Sequence, residues 1–104
     1  MGKYVLIYSG GSGMPETQEE QEQLMAAWGA WFESMGDAVV DGGNPFGAAQ
    51  SIAPDGSASD GSALGATGFS VIQADGLDKA TAHAQGCPVL TGGGTVDVME
   101  AIDM

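Results

Sequence analysis

Residues 18–35, QEEQEQLMAAWGAWFESM, are the stretch whose geometry can be read directly, and the rest of the chain reads as what this stretch packs on. Wound at about 3.6 residues per turn, Leu24, Met25, Trp28, Trp31, Phe32 and Met35 fall on one stripe, the spacing of a helix with one face on a core. Thr17 followed by Glu20 has capping-box spacing, and Gly36 can take the left-handed position that closes a helix. Glu16, Glu19, Glu20 and Glu22 stand where a helix dipole favours negative charge. The opposite side (Gln23, Ala27, Ala30, Glu33, Ser34) is small or polar, so the helix lies on a surface with one face buried. Gly29 is expected to mark close approach to a strand, because glycine there costs on the order of 1 kcal/mol against alanine.

Upstream, residues 3–9 (KYVLIYS) form an apolar, β-rich run bounded by Gly10, Gly11 and Gly13, and predict a strand. Tyr4, Leu6 and Tyr8 point one way and Val5 and Ile7 the other, so both faces read as buried. Downstream, residues 38–41 (AVVD) make a short strand broken by Gly42-Gly43-Asn44-Pro45. Residues 48–53 continue it after the kink, and Pro54-Asp55-Gly56 turns the chain toward a weak return through Ser59 and Asp60. The Gly, Ser, Ala and Asp of residues 54–66 read as a mobile hairpin tip. Residues 67–74 (TGFSVIQA) are the third main strand. Asp75 is placed to cap a second helix over residues 76–85, with Leu77, Ala80, Thr81 and Ala84 inward and Gly86 and Pro88 ending it. After a glycine turn at 92–94, residues 95–102 (TVDVMEAI) form the last strand.

The order β-α-β-β-α-β predicts an α+β, ferredoxin-like domain: an antiparallel sheet with both helices on one face and an extra hairpin after the second strand. The other face of such a sheet has no cover within one chain. Since the first strand is apolar on both sides, a second copy is expected to cover it sheet against sheet, making a homodimer.

The 104 residues make one domain spanning 1–104. Eighteen glycines make it loop-rich, yet 43% apolar composition argues for a folded core. A net charge of −12 arises from 14 acidic residues against Lys3 and Lys79, with no arginine. Binding to DNA, RNA or anionic membranes needs cations to displace counterions, so those partners are excluded, and a large anionic cofactor is disfavoured. No cofactor is expected. The single Cys87 permits neither an intrachain disulfide nor a multi-cysteine zinc site, and no acidic run has calcium-loop spacing, so no metal is expected either. Residues 1–8 lack the length and basic start of a secretory signal and are too short to span a bilayer, which leaves the cytoplasm as the expected compartment.

The glycine-rich residues 10–16 between strand and helix resemble a phosphate loop in order but not in spacing, and the glutamates that follow would repel a phosphate. His83, the only histidine, lies on the flank of the second helix, roughly 110° from its inner face, as a solvated residue or as part of a site at a dimer edge. Cys87 has no neighbouring cation in sequence and reads as a small buried hydrophobe rather than a nucleophile. Asp97 alternates with Val96, Val98, Glu100 and Ile102, so it points with Thr95 and Met99 to the other face, either into a space between sheets or to an edge open to water. Asp41, Asn44, Phe46 and Asp60 come from the mid-chain loops, where polar groups often line a pocket.

Several segments together resemble the YCII-related family, in particular its DGPF-type branch. They are KYVLIYSGG, AAWGAWFESMGDAVVDGGNPFG, the SDG of residues 59–61, GFSVIQADGLDKATAHAQGCP and GGGTVDVMEAI. The resemblance implies a ferredoxin-like dimeric α/β barrel and little about activity. Asp60-Gly61 matches the start of the DGPF motif, with Ser62-Ala63 in place of Pro-Phe, and Val89 stands where relatives often place a histidine after Cys87-Pro88. Only Asp60 is carried over as a site position. The expected function is a small cytoplasmic homodimer binding an uncharged or cationic metabolite at Tyr8, Asp41, Asn44, Phe46, Asp60 and Asp97. The alternatives are a cofactor-free enzyme of proton transfer or hydrolysis with Asp60 or Asp97 as base, and a ligand-free interaction module.

Overall fold

The computed structural model describes residues 2–10 and 16–102. The glycine-rich loop read against the phosphate-binding patterns lies, over residues 11–15, outside the described residues. Among the described residues, six strands and two helices follow in the order β1 (Gly2–Gly10), α1 (Gln18–Met35), β2 (Val39–Asp41), β3 (Gln50–Ile52), β4 (Ala58–Asp60), β5 (Ala66–Ala74), α2 (Leu77–Ala84) and β6 (Gly94–Ala101). Short 3-10 turns over Gly36–Ala38 and Pro88–Leu90 end the connections after each helix. The main sheet is antiparallel, in the order β2-β5-β1-β6, and β3 and β4 form a separate two-stranded sheet. This is an α+β architecture compatible with a ferredoxin-like fold.

Helix α1 has the bounds its sequence signals demand. The Thr17 hydroxyl accepts a hydrogen bond from the Glu20 amide at 3.2 Å, and Gly36, at φ 54°, turns its amide back to the Phe32 and Glu33 carbonyls. Trp31 and Met35 are buried, Trp28 and Phe32 half-buried against the same core. Met25 departs from the expected stripe and is 67% exposed. It lies roughly 80° from the stripe's centre at 100° per residue, so the helix rolls it to the rim.

The expected close approach at Gly29 is also overturned, because a methyl group there would meet nothing within 4 Å. The glycine is therefore only an entropic cost in an exposed helix interior. Gly29→Ala should raise stability by about 0.5–1 kcal/mol, read as a higher urea midpoint at unchanged slope. A loss of stability would mean that the helix meets another surface on that side.

Helix α2 is shorter than expected and is capped differently. Gly76, not Asp75, is its N-cap, and no side chain caps it. Only Ala80 and Ala84 are buried, whereas Leu77 is 52% exposed and Thr81 is exposed. Methyl-sized residues let the helix axis come close to the sheet, and the larger residues on either side are left at the margin.

All fully buried strand side chains share one parity. Tyr4, Leu6 and Tyr8 of β1 stand opposite Ile72, Ser70 and Gly68 of β5, and opposite Glu100, Val98 and Val96 of β6. Both helices contribute to this same core. The residues of the other parity face away from both helices: Lys3, Val5, Ile7 and Ser9 of β1, Phe69, Val71 and Gln73 of β5, and Thr95, Asp97, Met99 and Ala101 of β6. The least principal extent, 19 Å, fits one helix layer on one sheet.

Residues 48–53 do not extend β2. The kink at Gly42-Gly43 carries the chain out of the main sheet, and Gln50–Ile52 pairs only with Ala58–Asp60. Gly43 has φ 75°, and a Cβ there would sit 1.7 Å from the Phe69 carbonyl oxygen, so only glycine lets the loop press this closely on β5. The hairpin is tied by its own bonds: Asp55 accepts from the Ser57 amide at 2.9 Å and hydroxyl at 2.7 Å, and Ser51 donates to the Gly61 carbonyl.

Candidate functional site

The sheet face away from the helices carries the candidate site. At its β1–β6 side an open groove of about 330 Å³ is lined by Ile7, Ser9, Leu64, Asp97, Val98 and Met99. Strand alternation determines which side chains meet there. Asp97 stands opposite Ile7 in the β1–β6 register, Met99 opposite Val5, and Ser9 opposite Thr95. Leu64, 82% exposed, reaches the groove from the connection between β4 and β5. The walls are thus mainly aliphatic and thioether, with one carboxylate and one hydroxyl. Among the described residues, neither the Asp97 carboxylate nor the Ser9 hydroxyl has a hydrogen-bond partner or an opposite charge.

The expected site residues divide around this groove. Asp97 is in it, on the face shared with Thr95 and Met99. Tyr8 faces the helices, 6% exposed; its hydroxyl donates to Ser70 Oγ at 2.7 Å, and that hydroxyl in turn donates to the Gly42 carbonyl at 2.7 Å. It therefore braces the kink after β2 from inside the core. Asp41 stands beside Val71 on the far edge of the same face, and its Oδ1 accepts from the Gly43 amide at 2.8 Å, a turn-forming role. The Asn44 carbonyl accepts from the Phe69 amide at 3.3 Å, and Phe46 stacks on Phe69 with ring centroids 5.7 Å apart and planes 14° apart. These two close the β5 end of the face. Asp60 is exposed on β4 of the hairpin, outside the groove lining.

His83 borders a second, smaller cleft of about 160 Å³ with Asp37, Asp75 and Lys79, which shares no lining residue with the groove. Its carbonyl accepts from the Trp31 indole at 2.9 Å. Cys87 is 2% exposed, and burial pushes its thiol up to about 11, a thiol kept protonated and unreactive at neutral pH. Among the described residues no three His, Cys, Asp or Glu side chains come together in a metal-binding group, and no helix is long and apolar enough to cross a membrane.

Ile7, Ser9, Leu64, Val98 and Met99 are groove residues that were not nominated from the sequence. Ile7 carried a signal, since its parity already set it on the second face. Leu64 carried none, standing alone among glycine, serine and alanine.

The buried phenol and thiol give the fold an alkaline limit. Burial pushes Tyr8 up to about 12, partly offset by its bond to Ser70, while Cys87 rises to about 11. Burial, then the Glu100 carboxylate, moves Tyr4 the same way. The unfolded chain releases these protons near pH 9 to 10, so above that range the native state holds more protons than the unfolded one and stability falls as pH rises. The contribution is full below pH 9 and gone by about 12. Urea midpoints should drop between pH 9 and 11, and Tyr8→Phe should flatten the upper part of that fall. Constant midpoints to pH 11 would show both groups open to water.

No protein-family model matches the chain, and no curated protein matches it at a significant level.

Proposed function

We propose that this chain is one half of a cytoplasmic homodimer, a dimeric α/β barrel of the YCII-related type in which two ferredoxin-like sheets face one another and a small molecule occupies the groove between them. The observation that carries the reading is the composition of the sheet face turned away from the helices. An antiparallel sheet with one side in water alternates apolar-in with polar-out. Here the outward parity places Val5, Ile7, Phe69, Val71 and Met99 side by side across three strands. A contiguous patch of that kind marks an interaction surface.

Its size is adequate. Strands of nine, nine, eight and three residues at about 3.3 Å per residue and about 4.8 Å apart give a face of roughly 450 Å² in projection, more than half of the roughly 800 Å² of accessible surface each partner gives to a standard interface. Strand order supports the ferredoxin-like arrangement: β1 and β5 are central, with β6 beside β1 and β2 beside β5. The polar residues Ser9 and Asp97 at one side of the patch are what a ligand site needs and a dry interface does not. Since no second titratable residue lines the groove among the described residues, we read Asp97 as a binding group rather than one member of an acid–base pair.

Light scattering at micromolar concentration should give twice the 10.4 kDa chain mass. A thermal-shift screen against small metabolites should then find ligands that raise the melting temperature; one present at 100 times its Kd contributes about 2.7 kcal/mol. A mass of one chain, with the apolar face in water, would refute the reading.

A further inference from the structure

Resting on the paired-sheet reading, we infer that the groove beside Asp97 selects a small organic cation, an amine with an apolar body, and that Asp97 and Ser9 are the residues that hold its ammonium group.

The argument begins with charge. Asp97 projects from β6 into walls formed by Ile7, Leu64 and Met99, and among the described residues nothing neutralises it. Lys3 and Lys79 are the chain's only cationic side chains apart from its histidine, and neither lines the groove. Lys3 stands on the same face but opposite Ala101, four residues along β6 from Asp97, or roughly 13 Å at 3.3 Å per residue. A second copy of this chain brings the same shortage: Lys3 is the one cationic side chain on its matching face, against a net charge of −12 and no arginine. Covering the face therefore removes water from a carboxylate that its own chain does not pair, and an unpaired carboxylate is costly to desolvate. A bound cation removes that cost.

Geometry narrows the class. Asp97 is registered with Ile7 and Ser9 with Thr95, so Asp97 and Ser9 are diagonal neighbours on one face of adjacent strands. Such neighbours have Cβ atoms about 7 Å apart, and two hydrogen bonds of about 2.8 Å to one shared donor atom span about 5.5 Å. An ammonium nitrogen fits between them, donating to the carboxylate and to the hydroxyl oxygen. Beside that point the walls are Ile7, Met99 and Leu64, which suit a hydrocarbon or aromatic body. Among the described residues a carboxylate or phosphate ligand in the groove meets the Asp97 carboxylate and no cation.

The test compares three probes of one shape by calorimetry and thermal shift on the intact protein: phenethylamine, the neutral 2-phenylethanol and the anionic phenylacetate. Phenethylamine should bind about 10- to 100-fold more tightly than 2-phenylethanol, with no detectable binding of phenylacetate. Asp97→Asn should abolish the preference for the amine while light scattering returns the wild-type mass. Asp78→Asn, which removes one charge from the exposed surface of α2, should leave it intact and so excludes general attraction to an acidic protein. Equal binding of amine and alcohol, amine binding undiminished in Asp97→Asn, or a dimer that binds none of the probes overturns the inference while leaving the paired sheets standing. A single-chain mass for the wild type would remove the underlying reading instead.

Discussion

Trp31→Ala should cost about 3–5 kcal/mol and bring the fold close to its limit. Trp31 is 6% exposed and is the point where α1, β1 and the end of α2 meet. Its ring centroid lies 5.1 Å from Phe32, 5.6 Å from Trp28 and 6.4 Å from Tyr8, the last two in edge-on geometry. The indole nitrogen donates to the His83 carbonyl at 2.9 Å, and a Cβ on Gly86 would lie only 3.2 Å from the ring. Truncation leaves a cavity under three aromatic rings and removes the side-chain donor from the His83 carbonyl, which keeps its bond from the Gly86 amide. A domain of this size has about 5–15 kcal/mol in total, and the melting temperature of a chain near 100 residues moves about 4–8 °C per kcal/mol, so a drop on the order of 15–30 °C is expected. Trp31→Phe keeps most of the packing and should lose about 1–2 kcal/mol, chiefly the hydrogen bond. Urea and thermal unfolding measure both. A Trp31→Ala cost under about 1 kcal/mol would mean that the helix does not sit on the sheet through this residue.

The first helix was legible because independent signals coincide on it. Thr17 and Gly36 bracket a run whose apolar period is already helical, and local and tertiary preferences agree. The second helix was legible in position but not in its cap, because Asp75-Gly76 offers two candidates and the buried face consists of Ala80 and Ala84, which carry almost no periodic signal. The antiparallel sheet with its helices could be read from the order of elements. The orientation of Tyr8 could not. A strand apolar on both faces has no parity to break the tie; the helix layer packs on the Tyr4-Leu6-Tyr8 side, and there the phenol finds Ser70. Asp97 was placed on its face by the valines on either side of it. The groove around it needed the pairing of β1 with β6 and the return of Leu64 from a loop, which are long-range facts that no local pattern encodes.

On the proposed pairing of sheets, Val5→Asp should separate the two copies while leaving each folded. Val5 is half-buried at the middle of the outward face, opposite Val71 on β5 and Met99 on β6. In a single chain the new carboxylate points to solvent, and the cost is a change of strand propensity, up to about 1 kcal/mol. Between two sheets it is desolvated, and it occurs once in each copy. Several kcal/mol per buried unpaired charge, counted twice, gives roughly 4–8 kcal/mol against association, or about three to six decades in Kd. Light scattering should fall to one 10.4 kDa chain while far-ultraviolet circular dichroism and the urea slope stay those of a folded domain. Salt offers an independent check. Each copy carries −12, so wild-type association should strengthen as ionic strength rises and long-range repulsion is screened. A folded Val5→Asp protein with undiminished mass would place the contact between copies elsewhere, and the groove beside Asp97 would then lie open to water.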